Sequence, residues 1–289
     1  MLIAEYDPNY GTKILADEHS IVRLGENVDK TRMITDEAYA RLAATLRRYA
    51  LIIQHFKVNR IEAVGTSALR DALNKDYIVA KLEREFGLRV DIISGEYEAK
   101  LTYRGAMFDF EVTDEATAVI DIGGGSTEIA FGSHSVYGWG RSFDVGAVRL
   151  TEQGITKNTL PDRQAMLAEL FKNADDTGWA QPTRLVAVAG TPTTLAAMKN
   201  KLTEFDRANV HGEVLSLQEV EALLDEMLTI STDELITKYP AVPRGRADIL
   251  PAGTVILLEA MKALKMDTVT VSANGLRYGI LNAVLFPLH

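Results

Sequence analysis

The 289-residue sequence contains no cysteine, which excludes a disulfide framework, thiolate-held metals and a cysteine nucleophile. It also lacks any uninterrupted apolar run near the roughly 20 residues that cross a bilayer, and no basic segment precedes an apolar one at its N-terminus. Neither a membrane helix nor a signal peptide is expected, and a cytoplasmic location is. Positive charge is short as well: 31 Lys and Arg face 40 Asp and Glu, a formal −9 at pH 7, the wrong sign for a general nucleic-acid binder. A polyanionic substrate would need a local cluster of basic groups and metal. What is present, 47% hydrophobic and 25% charged residues, is the composition of a globular protein long enough for two α/β domains.

Strand and helix patterns alternate along the chain. Leu2-Ile3-Ala4 and Lys13-Ile14-Leu15 read as strands around a Pro8-Asn9-Tyr10-Gly11 turn, and Ile21 to Leu24 as a third. Thr35 is a candidate N-cap, after which Leu42, Leu46, Tyr49 and Ile53 recur at helical spacing. Ile61 to Val64 and Val90 to Ile93 are short apolar strands around a helix, the βαβ pattern of a parallel sheet. Later strands are expected at Leu185 to Ala189 and Val269 to Val271, and helices at Val220 to Leu228 and Val255 to Leu264. The polar stretch Glu111 to Glu115 is the best boundary, dividing the chain into 1–113 and 114–289.

The richest segment runs from Val119 to Ile129. An apolar strand ends in Asp121-Ile122, Gly123, Gly124 and Gly125 follow, and Ser126-Thr127-Glu128 leads into a second strand. Three glycines permit φ > 0 and leave backbone N–H groups from Gly123 to Ser126 free to close on an anion, with the Ser126 and Thr127 hydroxyls as added donors. Glycines alone would also fit an ordinary hairpin turn. The flanking Asp121 and Glu128 favour a phosphate loop, because two carboxylates would repel a phosphate unless Mg²⁺ bridged them.

A repeat is visible. Ile3-Ala4 matches Ile129-Ala130, and Val22-Arg23-Leu24 matches Val148-Arg149-Leu150; 129 − 3 and 148 − 22 both give 126, which suggests a duplicated β-meander.

Five motifs in order, Gly65-Thr66-Ser67-Ala68-Leu69-Arg70-Asp71-Ala72, Ile93 to Ala99, Asp121 to Glu128, Asp144 to Glu152 and Ala189 to Thr194, make the chain resemble the exopolyphosphatase and guanosine pentaphosphate phosphohydrolase family. That family lies within the superfamily of actin, sugar kinases and heat-shock chaperones. The resemblance implies an α/β fold of two ribonuclease-H-like domains with a cleft between them, the C-terminal helix being a candidate to pack back on the first. It implies hydrolysis of the terminal phosphoanhydride of inorganic polyphosphate or of guanosine pentaphosphate, with Mg²⁺ as cofactor and a homodimer as the oligomeric expectation.

Carried over by position, the resemblance makes Glu98 the general base and Arg70 the phosphate-clamping arginine, with Asp121 and Glu128 at the metal. Without it, Glu98 would read as a carboxylate complementing a helix N-terminus, and Arg70 as a helix arginine paired with Asp71 or Asp76. Gly190 and Thr191 open an Ala-rich helix after a strand, so they suit either a second anion cradle or a plain N-cap turn. Arg149, Arg244 and Arg246 are further candidates for a polyanion. Family members open with an earlier strand and phosphate loop, whereas this sequence opens at Met1-Leu2-Ile3-Ala4, so the first loop is expected to be absent. The expected activity is exopolyphosphatase, with guanosine pentaphosphate phosphohydrolase or a turnover-impaired binding protein as alternatives.

Overall fold

The computed structural model describes residues 1–111, 113–133, 136–172, 174 and 181–286; Val112 of the expected boundary and the last three residues lie outside them. The first half runs β1 (Leu2–Asp7), β2 (Gly11–Asp17), α1 (Val28–Thr31), α2 (Asp36–His55), β3 (Val64–Gly65), α3 (Ser67–Asp71), α4 (Lys75–Phe86), β4 (Asp91–Ile92) and α5 (Gly95–Ala106). Next come β5 (Ala116–Ile122), β6 (Thr127–Ser133), β7 (Val136–Phe143), α6 (Ala147–Glu152), α7 (Leu160–Phe171), β8 (Arg184–Val188) and α8 (Gly190–Lys199). The rest is α9 (Arg207–Val210), β9 (Val214–Ser216), α10 (Leu217–Met227), α11 (Thr232–Lys238), α12 (Leu250–Ala263), β10 (Thr268–Val271) and α13 (Leu276–Leu285).

Six strands form one sheet in the order β7-β6-β5-β8-β10-β9. β5, β6 and β7 are an antiparallel meander, β8 runs parallel to β5, and β10 runs parallel to β8. This is the ribonuclease-H-like order, with β9 added antiparallel at the edge. The first half holds two separate pairs, the β1–β2 hairpin and the parallel β3–β4. Moving β1 and β2 forward by 126 residues gives 128–133 and 137–143, against 127–133 for β6 and 136–143 for β7. The repeat is therefore a duplicated hairpin, with a register irregularity in each copy.

Thr35 caps α2, its hydroxyl accepting the Ala38 N–H at 3.2 Å. The third strand expected at Ile21 to Leu24 does not form. Arg41 donates from Nε to the Val22 carbonyl at 2.9 Å and from Nη2 to the Arg23 carbonyl at 3.1 Å, so a side chain takes the acceptors a neighbouring strand would use. Arg23 also sits at φ 48, outside strand geometry. The strand sought at Ile61 shrinks to Val64–Gly65, and Ile61 is exposed.

Central β5 is buried on both faces, so its sequence reads as a continuous apolar run. Ala118, Ile120 and Ile122 point into the main core beneath α12, whose residues are buried almost all round. Val119 points the other way, packing with Ala130, Val186 and Val188 under Ala99, Tyr103 and Ala106 of α5. α5 is held from outside by α13, and no side chain separates the two backbones. A Cβ on Gly105 would stand 2.1 Å from the Gly275 carbonyl oxygen, and one on Gly279 would stand 1.8 Å from that of Leu101. Polar contacts join the early chain to the later one: Arg23 with Asp248, Arg277 with Asp17, and Arg149 with Asp71 and Asp29. Among the described residues no helix is long and apolar enough to cross a membrane.

Candidate active site

The site grows out of strand register. Asp121 on β5 faces Glu128 on β6, Glu128 faces Ser142 on β7, and Asp121 is level with Val188 on β8. Alternation puts Asp121 two residues beyond Val119, on the face that α5 covers. Two carboxylates directly opposite one another oppose folding. Thr102 of α5 donates to Asp121 Oδ2 at 3.1 Å, and Ser142 donates to Glu128 Oε1 at 2.6 Å.

Ser94 caps α5 by accepting the Tyr97 N–H at 3.2 Å, which fixes the first turn that carries Glu98. The Glu98 side chain is 8% exposed, so it is no solvated helix-start carboxylate. Arg70 Nη1 donates to Glu98 Oε2 and to the Ile93 carbonyl, both at 3.0 Å. Arg70 thus pairs with Glu98 rather than with Asp71 or Asp76, while Asp71 takes Arg149 at 2.6 Å. Burial and the charge of Asp121 push the Glu98 carboxyl up to about 7, against the pull of Arg70. Burial pushes Asp121 up to about 6, and burial with its two carboxylate neighbours holds Glu128 well above the usual range.

The folded state therefore keeps protons on these groups at pH values where the unfolded chain, with carboxyls near 4.5 and 3.8, has released them. Folded protein binds more protons than unfolded across that window, so stability falls as pH rises through it. Thermal melts without added divalent metal should give a Tm that declines from about pH 5 to about pH 7, with a shallower decline for Glu128→Gln. A flat or rising Tm in the parent would contradict the repulsion described above.

The glycine loop differs in detail from the sequence reading. None of Gly123, Gly124 and Gly125 takes a left-handed φ. Close approach demands glycine beside the loop, at Gly146, where a Cβ would lie 2.5 Å from the Gly124 backbone; within the loop, a Cβ on Gly125 would lie 2.8 Å from Ser67 Oγ and one on Gly123 3.0 Å from the Ser126 carbonyl oxygen. Ala147 donates to the Gly123 carbonyl at 2.9 Å, and Val148 and Arg149 to the Gly124 carbonyl at 2.9 and 3.1 Å, so the first turn of α6 grips the loop. The Gly123 N–H is spent on the Ser126 carbonyl at 3.0 Å, and the Thr127 hydroxyl on the Val145 carbonyl at 2.7 Å. The N–H groups of Gly124, Gly125 and Ser126 have no hydrogen-bond partner among the described residues. Gly124 and Gly125 line a cavity of about 180 Å³ shared with Arg23, Ser67, Asp71 and Arg149.

Gly190 and Thr191 begin α8 just after Val188, at the same edge of the sheet as Asp121. Thr191 is buried against Gly253 of α12, while Gly190 lies under the Arg246 guanidinium. Arg246 Nη1 donates to Thr194 Oγ1 at 3.2 Å and Nη2 is 3.1 Å from His19 Nε2. No carboxylate pairs with Arg246 among the described residues, and burial lowers its pKa. His19 is pushed down to about 4 by burial and by Arg246, so its ring is neutral. Arg244 stays exposed, 3.9 Å from Asp233.

Sequence reading missed Thr102 and Ser142. Thr102 carried a signal, four residues after Glu98 on the same helix face; Ser142 carried none, because its role depends on strand pairing. No cluster of three or more His, Asp or Glu at metal-holding spacing occurs among the described residues. Mg²⁺ needs no such cage, since it is held by one or two carboxylates together with substrate phosphates and water. Asp121 and Glu128 are buried oxygen donors whose mutual repulsion a hard cation relieves, so the residues fit Mg²⁺ bound along with a phosphate ligand.

Compared with known proteins, the chain matches the Ppx/GppA phosphatase family over residues 2–286. It is 31% identical over 298 residues to exopolyphosphatase 2 of Mycobacterium tuberculosis, covering 97% of this chain and 93% of that protein. A guanosine-5'-triphosphate,3'-diphosphate pyrophosphatase of Aeromonas salmonicida is 27% identical, covering 91% of this chain but 53% of its own length. The Ppx/GppA protein of Aquifex aeolicus superposes with a TM-score of 0.80 at 29% identity, covering 100% of this chain and 94% of that one. An exopolyphosphatase from Cytophaga hutchinsonii gives a TM-score of 0.87 at 26% identity, covering 100% and 94%.

Proposed function

The chain belongs to the Ppx/GppA phosphatase family, and from that premise we propose that it is a Mg²⁺-dependent exopolyphosphatase releasing orthophosphate from the ends of inorganic polyphosphate. The observation that carries this reading is Glu98: a buried carboxyl raised to about 7, braced by one arginine, beside two further buried carboxylates. A base is most effective when its pKa is near the working pH.

Glu98 takes a proton from a water whose oxygen forms the new bond to the terminal phosphorus. The bridging P–O bond breaks, and its electron pair leaves with the shortened chain. Arg70 orients Glu98 at rest and offers its remaining N–H groups to phosphate oxygens. The free N–H groups of Gly124, Gly125 and Ser126 hold the phosphate from the other side. Mg²⁺, held by Asp121 and Glu128, would neutralise phosphate charge and orient the anhydride. Arg23 and Arg246 supply cationic contacts farther along the chain of phosphates.

Phosphate release from long-chain polyphosphate with Mg²⁺, measured beside release from guanosine pentaphosphate, tests the reading. Faster turnover of polyphosphate is expected. Preference for the nucleotide would replace it with the second reading, a guanosine pentaphosphate phosphohydrolase. Tight binding of either ligand without release would leave a binding protein.

A further inference from the structure

Threonines within the helices share one habit. Thr151 of α6, Thr194 of α8, Thr237 of α11 and Thr254 of α12 each donate their hydroxyl to the carbonyl four residues earlier, at 2.6–2.8 Å, the usual local partner of a helical threonine. Thr102 departs from it. Its hydroxyl passes over the Glu98 carbonyl and donates across to β5, to Asp121 Oδ2 at 3.1 Å. Burial is not the cause, because Thr254 is as deeply buried and keeps the local bond.

The two oxygens of Asp121 are thereby made unequal. Oδ2 is taken by the hydroxyl, while Oδ1 has no hydrogen-bond partner among the described residues. A carboxylate with one oxygen held back offers a cation one oxygen rather than two. Thr102 also ties this carboxylate to the helix that presents Glu98 one turn earlier. That helix is itself fixed, since α13 packs on it backbone to backbone at Gly105 and Leu101. The donor therefore holds its place when the carboxylate is drawn towards a cation.

Coordination chemistry says which cation gains. Mg²⁺ demands a compact, near-octahedral set of oxygens at about 2.0–2.1 Å, whereas Ca²⁺ takes more oxygens at roughly 2.3–2.6 Å, in flexible geometry and with bidentate carboxylates among them. We propose that Thr102 is a positioning residue that sets the metal preference of the site: by holding Oδ2 it keeps Asp121 a one-oxygen ligand and favours Mg²⁺ over Ca²⁺. The inference rests on the reading that Asp121 and Glu128 hold a divalent cation, and it adds the residue that selects which one.

The test is calorimetric titration of the metal-free protein with magnesium chloride and, separately, with calcium chloride, both without substrate. The parent should bind Mg²⁺ more tightly than Ca²⁺. Thr102→Val keeps the shape and removes the donor, so Oδ2 is free to join the cation. Mg²⁺ affinity should then fall about tenfold, the lower end of the usual effect of losing a residue that orients a metal ligand, while Ca²⁺ affinity holds or rises. Thr102→Ser keeps a hydroxyl and should hold the Mg²⁺/Ca²⁺ ratio within about threefold of the parent. Thr102→Ala removes the same donor and should move the ratio as valine does, so either of the two that folds is sufficient. A packing role alone would weaken both cations together, and that result overturns the proposal. So does a folded Thr102→Val or Thr102→Ala that keeps the parent ratio, or a parent with no preference for Mg²⁺. Mg²⁺-dependent polyphosphate hydrolysis with a ratio unmoved by these variants would sink this inference alone. Binding of neither cation to the parent would sink the metal reading and this inference with it.

Discussion

Glu98→Gln should lower kcat for phosphate release by about 1,000-fold, in the middle of the range for losing a general base, while leaving Tm at pH 8 level or higher. The two halves of this expectation have one cause. Above pH 7 the parent must hold Glu98 charged in a buried place beside Asp121, and the raised pKa of about 7 expresses that strain. The amide keeps the shape and removes the repulsion, so the fold is relieved as the chemistry is lost. Glu96→Gln, two residues earlier and exposed, should stay within twofold of the parent. A drop in activity for Glu98→Gln that tracked a drop in Tm would make Glu98 structural and remove it as the base.

Gly279→Ala is the other large effect, and here stability moves first. The added Cβ would lie 1.8 Å from the Leu101 carbonyl oxygen, and the obstacle is backbone in the middle of α5. No rotamer can yield, so α13 and α5 must separate. The cost is at least about 3 kcal/mol, at the upper end of overpacking penalties, or a fall in Tm of roughly 5–10 °C. Because α5 also presents Glu98 and Thr102, protein that remains folded should lose kcat more than it loses substrate affinity. Gly105→Ala attacks the same crossing from the other side and should behave alike. A Tm within 2 °C of the parent for both variants would mean that the helices can part freely.

The sequence made some parts legible because their causes are local. The β5-loop-β6 unit could be read directly, since an apolar run, three glycines and a second apolar run encode a hairpin within 14 residues or so. The duplicated hairpin was legible as an offset of 126, and the Thr35 cap as a single residue type. Glu98 and Arg70 were different. By residue type alone both fitted bland roles, and only the order of five motifs singled them out. What stayed hidden depends on contacts distant in sequence. Arg41 satisfies the carbonyls of residues 22 and 23 and dissolves an expected strand. Ser142 meets Glu128 only through strand pairing. The glycines of the loop were expected to take positive φ, but none does, and the position where close approach demands glycine is Gly146, packed on the Gly124 backbone.

The row Ser142–Glu128–Asp121–Val188, one residue from each of four neighbouring strands, sets how this protein can change over evolutionary time. Substitutions at the core-facing residues of β6, Ile129 and Phe131, need only stay apolar and respect size. A deletion of one residue between Glu128 and the loop would turn Glu128 into the core and bring Ile129 out beside Asp121, and an insertion there would also turn Glu128 inward, leaving Thr127 or the inserted residue opposite Asp121. The hairpin therefore works as a ruler: lineages can vary its composition, but length changes within it should be absent among active descendants.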